Sequence, residues 1–250
     1  MKQKSLCLLL IMLAAPVTWI WSQGSEIVRH GIRFEKLDWE FVGGFSFCNN
    51  IITALPEDQS YTNFQSESSG GFQFGVHPIF RISRPITLRS GLLFSKREYQ
   101  FNQKIPWDAN YTEKAILLGI PAHFIYTFGY SDVKFNLFSG LQLNYSIKNT
   151  LEYSALAVPG YWQEGSINSS FDRKRFIMDF QLGAGLRFQV SKIFIGLDLC
   201  YYLEMMNHSR FNTPRTLYIY QDLEPTIPYY SPHFWGHGIM FNLVLQKRRS

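Results

Sequence analysis

Cysteine is scarce in this chain of 250 residues, which contains three: Cys7, Cys48 and Cys200. Cys7 lies inside the first apolar run, and the other two have no C-x-x-C spacing. A disulfide framework or a cysteine-based zinc site would need more cysteines at regular spacing. The sequence therefore excludes both, and we expect no metal and no cofactor.

Long apolar runs are also rare, and the clearest one, Leu6–Trp21, stands near the N-terminus. It follows a short basic start and precedes small residues, which is the arrangement of a cleavable secretory signal peptide. A membrane-anchor helix is the alternative, but it needs about 20 apolar residues, and Pro16 interrupts this run. We predict a signal peptide at residues 1–22 and a periplasmic N-terminal segment at 23–37.

Charge of one sign is not concentrated in the body of the chain. The 24 Lys and Arg and 19 Asp and Glu give a formal net charge of +5. Part of this excess lies in the signal peptide and in a basic C-terminal tail at 247–250. Nucleic-acid binding needs a basic patch or stripe, which the rest of the chain lacks, so we expect no nucleic-acid partner.

Aromatic residues are abundant, at 17% of the chain, and apolar and polar residues alternate over long stretches. In VKFNLFSGLQLNYSIK, residues 133–148, the alternation with period two continues for sixteen residues. An ordinary strand has about 5–6 residues, whereas a membrane-spanning strand needs about 9–11. The stretch predicts a long strand with one apolar face and one polar face.

Seven other segments have the same pattern. In chain order, the eight are WEFVGGFSF, GFQFGVHPIFRI, ITLRSGLLFSKR, AILLGIPAHFIYTF, VKFNLFSGLQLNYSIK, FIMDFQLGAGLRF, IFIGLDLCYYLE and WGHGIMFNLVL. An even number of such strands, with an aromatic-rich apolar face, is typical of an outer-membrane barrel. We predict an all-β fold, an eight-stranded antiparallel up-and-down transmembrane β-barrel at residues 38–246, located in the outer membrane.

The connections between these segments alternate in length. Short ones are centred on 83–85, 129–132 and 189–191, and long ones cover 49–69, 100–114, 149–175 and 205–233. Short periplasmic turns and long extracellular loops mark an outer-membrane barrel with both termini in the periplasm. A periplasmic lipocalin-like barrel that binds a ligand is the soluble alternative, but it rarely needs four long loops at one end.

The polar face carries charged residues in the middle of strands, together with repeated glycine. The charged residues are Glu40, Arg89, Asp179, Arg187 and Asp198. Eight strands leave an interior just wide enough for side chains, where glycine makes room for long neighbours and opposite charges pair. We predict a polar network inside the barrel that fills the lumen.

Several segments resemble the PorT-like outer-membrane β-barrel family of Gram-negative envelopes. They are SGLLFSKREYQF, ILLGIPAHFIYTF, FNLFSGLQLNYSIK, DFQLGAGLRFQ and IFIGLDLCYYLE. The resemblance covers about residues 38 to 246 and implies the barrel fold. It also implies a docking or accessory role in type IX protein secretion, as in some members of that family.

Catalysis has four candidate residues, because some small outer-membrane barrels modify lipid A with Ser and His near the outer leaflet. They are Ser90, His208, Ser209 and His237. These residues form no nucleophile–base–acid set at a recognisable spacing. We therefore predict no catalytic residues, and an outer-membrane lipid-modifying enzyme stays the alternative function. The inward His77, His123 and Asp198 have no metal-ligand spacing and are assigned to the polar network.

The long connections are rich in tryptophan and tyrosine. They include Trp107, Tyr111, Tyr153, Tyr161, Trp162, Tyr218, Tyr220, Tyr229 and Tyr230. Such residues suit the binding of sugars or proteins, and packed loop caps use the same residues. The candidate binding surface consists of Trp107, Tyr161, Trp162, Tyr218 and Tyr220.

The sequence thus predicts a non-enzymatic outer-membrane barrel that contacts outer-membrane lipid. It acts either in envelope structure or as a docking component for a protein partner in the envelope. Cys48 and Cys200 are expected to stay unbridged, because the last strand lies between theirs. The oligomeric state stays open.

Overall fold

The computed structural model describes residues 38–54, 64–83, 85–103, 108–129, 132–158, 161–211, 215–221 and 224–247. The predicted signal peptide, the N-terminal segment and most of the basic tail lie outside these ranges. The described strands are β1 Asp38–Ala54, β2 Phe64–Glu67, β3 Ser69–Arg81, β4 Ile86–Arg89, β5 Leu92–Gln103, β6 Ala109–Gly129, β7 Val133–Val158, β8 Tyr161–Asn168, β9 Phe176–Val190, β10 Ile193–Glu204, β11 Arg215–Gln221, β12 Glu224–Ser231 and β13 His233–Lys247. Within the same ranges, no helix is both long and apolar enough to cross a membrane.

The strands close into a ring with eight positions, occupied in order by β1, β3, β4 with β5, β6, β7, β9, β10 and β13. All neighbours are antiparallel, and β13 pairs with β1 to complete the ring. β4 and β5 are two halves of one ring strand, since both pair with β3 and β6. Gly91 separates them with a φ of +138°, a conformation that favours glycine. The predicted eight-stranded up-and-down barrel is confirmed.

The two faces of the ring strands alternate as the sequence pattern predicts. Apolar side chains point outward, and Phe124 and Leu197 are each 61% exposed. Polar and charged side chains such as Glu40 and Arg187 point inward and are buried. A soluble lipocalin-like barrel has the opposite arrangement, with a polar exterior. That alternative is therefore wrong.

All four long connections contain strand, which corrects the prediction, and two of them extend the ring strands themselves. β6 has 21 residues and β7 has 26, far more than the roughly 9–11 that cross a membrane. β5 stays paired with β6 as far as Gln103, and β8 pairs back onto the end of β7. Above the membrane both faces of a strand are free to be polar, so hydrophobic alternation no longer marks it. We call β2, β8 and the adjoining ends of β5, β6 and β7 the extracellular sheet, following the prediction that the long connections are extracellular.

A β-bulge in β7 ends the alternation before residue 148. Ser146 pairs with Leu117, whereas Lys148 pairs with Ile116, so Ile147 is an extra residue in this strand. A bulge re-aims the side chains that follow it, and both Ile147 and Lys148 are exposed. The alternation predicted over residues 133–148 would place Lys148 on the polar, inward face, and this placement is wrong because of the bulge.

Both cysteines in the barrel are free and buried. Cys48 on β1 pairs with Gly238 of β13, and Cys200 on β10 pairs with Met240 of the same strand. The intervening strand β13 thus separates the two cysteines.

Replacing Leu197 with Arg is expected to lower the free energy of unfolding by about 2–4 kcal/mol, because a charge near the bilayer midplane is costly. The matched control is Trp162→Arg, since Trp162 is also an exposed apolar residue but lies on β8, above the ring. A surface change of this kind costs within about 0.5 kcal/mol. Urea unfolding in phospholipid vesicles measures both, and equal losses would contradict the lipid-facing assignment.

Candidate functional site in the barrel interior and extracellular sheet

Four of the five charges predicted to line the lumen form one group near the short-turn end, the periplasmic cluster. Arg89 Nη1 lies 2.8 Å from Glu40 Oε1 and 3.0 Å from Asp198 Oδ2. Arg187 Nη2 donates to Asp198 Oδ2 at 3.0 Å and lies 3.5 Å from Glu40 Oε2. The residues come from β1, the β4–β5 strand, β9 and β10, so this cluster connects four ring positions across the interior.

The fifth predicted charge, Asp179, belongs to a separate group higher in the barrel, the central cluster. Arg97 Nη2 donates to Asp179 Oδ2 at 2.5 Å, and its Nη1 donates to Glu204 Oε1 at 2.8 Å. Tyr99 Oη donates to the same Glu204 oxygen at 2.5 Å, and His208 Nε2 contacts the other. Arg97 thus neutralises carboxylates from two strands on the far side of the ring.

A third group, the mouth cluster, closes the extracellular end. Arg173, in the loop before β9, donates from Nε and Nη2 to the two carboxylate oxygens of Glu113, each at 2.6 Å. Its guanidinium lies 5.1 Å from the ring centroid of Phe234. Arg173 also forms a β-bridge with Ser209 of the loop after β10. Two loops therefore fold inward and cover the charged interior.

Glycine makes room for these side chains, as the pattern on the inward face suggests. A Cβ at Gly185 would collide with the Asp198 carboxylate, and one at Gly196 would collide with Arg187 Cδ. Both glycines lie beside the Arg187–Asp198 ion pair. A larger residue at either position would displace the pair.

The remaining interior space is small. His77, His123 and Asp198 all point inward, and with Arg89 they line a cavity of about 20 Å³. This volume has room for about one water molecule. Among the described residues, no group of three or more His, Cys, Asp or Glu could hold a metal ion. The cavity therefore offers no site for a large ligand.

Sequence reasoning missed the residues that hold the two upper clusters together. Arg97 and Glu204 end two of the predicted segments at inward positions, but only charges in the middle of strands are assigned to the predicted network. Glu113 precedes its predicted segment and has the same parity as the buried Leu117 on β6. Counting every inward charge would have found the first two, and extending the period-two pattern toward the N-terminus of β6 would have found Glu113. Arg173 lies in a loop outside any alternating segment, so no sequence signal identifies it.

The four catalytic candidates do not form a catalytic group. Ser90 lies near the short-turn end of the barrel, directly after β4, whereas His237 lies near the long-loop end of β13. His208 contacts the carboxylate of Glu204, and the hydroxyl of the buried Ser209 donates to a backbone carbonyl two residues further on. No hydrogen bond between a described Ser and a described His links a nucleophile to a base.

The predicted loop binding surface is described only in part. Trp162 on β8 is 49% exposed. Tyr161 begins β8, and Tyr218 and Tyr220 lie on β11, but their side chains are outside the described part of the structure, as is the whole of Trp107. Trp162 is therefore the member of this set whose exposure the structure establishes.

Replacing Arg89 with Met is expected to lower the free energy of unfolding by about 3–5 kcal/mol, because it leaves two buried carboxylates with Arg187 as the one cation between them. Lys114→Met is the control, since Lys114 pairs with the exposed Glu152, and such surface pairs contribute about 0–1 kcal/mol. Urea unfolding in vesicles compares them. A loss for Arg89→Met no larger than the control's would contradict a stabilising role for the periplasmic cluster.

Comparison with solved structures finds barrels of the outer membrane. Neisserial surface protein A is 11% identical, with 84% of this chain and 98% of that chain covered and a TM-score of 0.35. OprG from Pseudomonas aeruginosa is 11% identical over 84% and 97%, with a TM-score of 0.40. The protease OmpT from Escherichia coli is 6% identical over 86% and 97%, with a TM-score of 0.41. At TM-scores this low, these likenesses carry no argument about function.

No curated protein matches this chain. A family model described as "Outer membrane protein beta-barrel domain" matches residues 21–206, which is most of the chain. It agrees with the closed antiparallel ring, the apolar outer face and the polar interior described above. The protein is therefore located in the outer membrane, and it belongs to the outer membrane protein beta-barrel domain family.

Proposed function

We propose that this protein is a non-enzymatic, non-conducting barrel that docks an envelope protein on its extracellular sheet. The observation that carries the proposal is the length of β6 and β7, at 21 and 26 residues. Because about 9–11 residues span the membrane, roughly half of each strand projects beyond it. The barrel thus supports a rigid platform outside the membrane.

The filled interior argues against transport. Three layers of buried ion pairs cross the lumen, and the mouth cluster adds two inward-folded loops above them. An ion or solute would have to break several buried pairs in sequence, each at a cost of several kcal/mol. This packing supports a barrel that works by its surfaces and does not act as a channel.

The arrangement of the catalytic candidates favours binding over lipid modification. A hydrolase or acyltransferase needs a nucleophile within hydrogen-bond reach of a base. His208 is instead held between the Glu204 carboxylate and the ring of Phe234, 4.5 Å away between centroids. These are the contacts of a residue that packs the mouth, so the enzyme hypothesis lacks a site among the described residues.

The free edge of β8 is the best candidate docking position. In the part of the chain that the structure describes, β8 pairs with β7 on one side and with no strand on the other. Its alternate residues Trp162, Glu164 and Ser166 are exposed, while Ile167 packs against the apolar core beneath the sheet. An extended segment of a partner can add to such an edge by backbone hydrogen bonds, with Trp162 as an aromatic anchor.

The class of partner follows from the resemblance to the PorT-like family. That resemblance favours a component of the type IX secretion machinery, and this part of the proposal rests on it alone. A purely structural role in the envelope is the competing hypothesis, because a filled barrel also fits it.

Site-specific photocrosslinking in intact cells tests the docking proposal. A benzophenone amino acid at position 162 is expected to give a discrete protein adduct, identified by mass spectrometry. The control position is Lys192, which is also exposed but lies in the short turn between β9 and β10. An adduct from position 162 that contains a secretion component would support the type IX assignment. Failure of position 162 to exceed the control would contradict docking on β8 and favour the structural role.

A further inference from the structure

The bulge in β7 places a cation on the outer surface just above the apolar belt. Had the alternation continued, Lys148 would point into the barrel, but the extra residue Ile147 turns it outward. Bulges are often found where a side chain must be re-aimed. The position of this bulge therefore provides an exposed amine on the lipid-facing side.

A second cation, Arg175, is fixed next to the bulge. Its Nη1 donates to the carbonyl oxygens of Ser146 and Ile147, each at 3.2 Å. No described residue accepts a hydrogen bond from its Nε or Nη2. These two hydrogen bonds hold the guanidinium in place and leave its Nε and Nη2 donors available to a ligand. A ligand that binds there therefore loses little free energy in immobilising the side chain.

An aromatic pair below the two cations indicates their level in the membrane. Tyr145 and Phe176 are register partners on β7 and β9, with ring centroids 5.3 Å apart. Aromatic girdles mark the interface between the apolar belt and the polar headgroups. Lys148 and Arg175 lie directly beyond this pair on the extracellular side, at the level of the outer-leaflet headgroups.

Neighbouring lysines have carboxylate partners, which the structure does not give to Lys148 or Arg175 among the described residues. Lys96 Nζ lies 2.6 Å from Glu98 Oε1, and Lys114 pairs with Glu152. Among the described residues, no carboxylate lies within ion-pair distance of Lys148 or Arg175. The surface at the bulge thus carries two unneutralised positive charges beside the exposed apolar side chain of Ile147.

We infer that Lys148 and Arg175 form a binding site for a phosphate-bearing lipid headgroup of the outer leaflet. The guanidinium fork matches phosphate geometry, and the amine adds a point charge. The acyl chains of the same lipid would lie on the apolar belt below. A lipid is favoured over a soluble anion because the site lies at the edge of this belt. This inference is independent of the docking proposal for β8.

Native mass spectrometry of the detergent-solubilised protein with bisphosphorylated lipid A tests the site. Retention of lipid A is expected to fall about tenfold or more in the double variant K148Q/R175Q, since a charge-assisted hydrogen bond contributes at least that factor. The control K96Q/K114Q removes the same charge from lysines that already have carboxylate partners. Its loss should stay small, because Glu98 and Glu152 already neutralise these two lysines. The single variant K148Q, which breaks no side-chain hydrogen bond or ion pair among the described residues, gives a folded test of the same site.

Two further arms identify the ligand. Wild-type protein should retain dephosphorylated lipid A no better than background, and excess inorganic phosphate should displace lipid A only weakly. Equal retention of the dephosphorylated lipid, or equal losses in the two double variants, would overturn the site. Complete displacement by inorganic phosphate would overturn the assignment to a lipid headgroup.

Discussion

Buried arginine–carboxylate pairing across the lumen is the interaction on which the rest of this barrel depends. A membrane barrel must face lipid with apolar side chains, so its polar residues collect inside. Charges there are stable only when they are paired and hydrogen-bonded. Arg89 and Arg97 meet this requirement with carboxylates from β1, β9 and β10. The same pairs connect strands that are distant in sequence and so hold the closed ring together.

This pairing also determines where glycine is needed and how the mouth closes. Gly185 and Gly196 lack the side chains that would displace the Arg187–Asp198 pair. At the upper end Arg173 brings a loop down onto Glu113 of β6. Because buried ion pairs fill the interior, the surfaces that can bind other molecules are the extracellular sheet and the lipid-facing wall.

The sequence predicts the barrel well because one physical rule governs every strand within the membrane. Each residue faces either lipid or the lumen, so period-two alternation identifies all eight ring positions and the side to which Leu197 or Asp198 points. The rule fails where its cause is absent. Above the membrane the outer surface is polar, so the upper part of β7 and the whole of β8 carry no such signal. The bulge at Ile147 also shifts the alternation without any residue that marks it.

The interior network is predictable only as a set of inward charges. Parity places Glu40, Arg89 and Asp198 in the lumen, but it does not reveal which carboxylate pairs with which arginine. Pairing depends on the stagger between strands, which separates Asp179 from the periplasmic cluster and brings it to Arg97. The loop residue Arg173 reaches its partner through the fold of two long connections, which no local pattern encodes.

Single-channel recording of the purified barrel in a planar bilayer tests most directly whether the paired charges close the lumen. Because buried ion pairs fill the lumen, insertion of the barrel, verified by recovering folded protein from the membrane, is expected to add no steady ionic current at moderate voltage. A stable, large conductance from the wild-type barrel would contradict the filled lumen and the role argued from it.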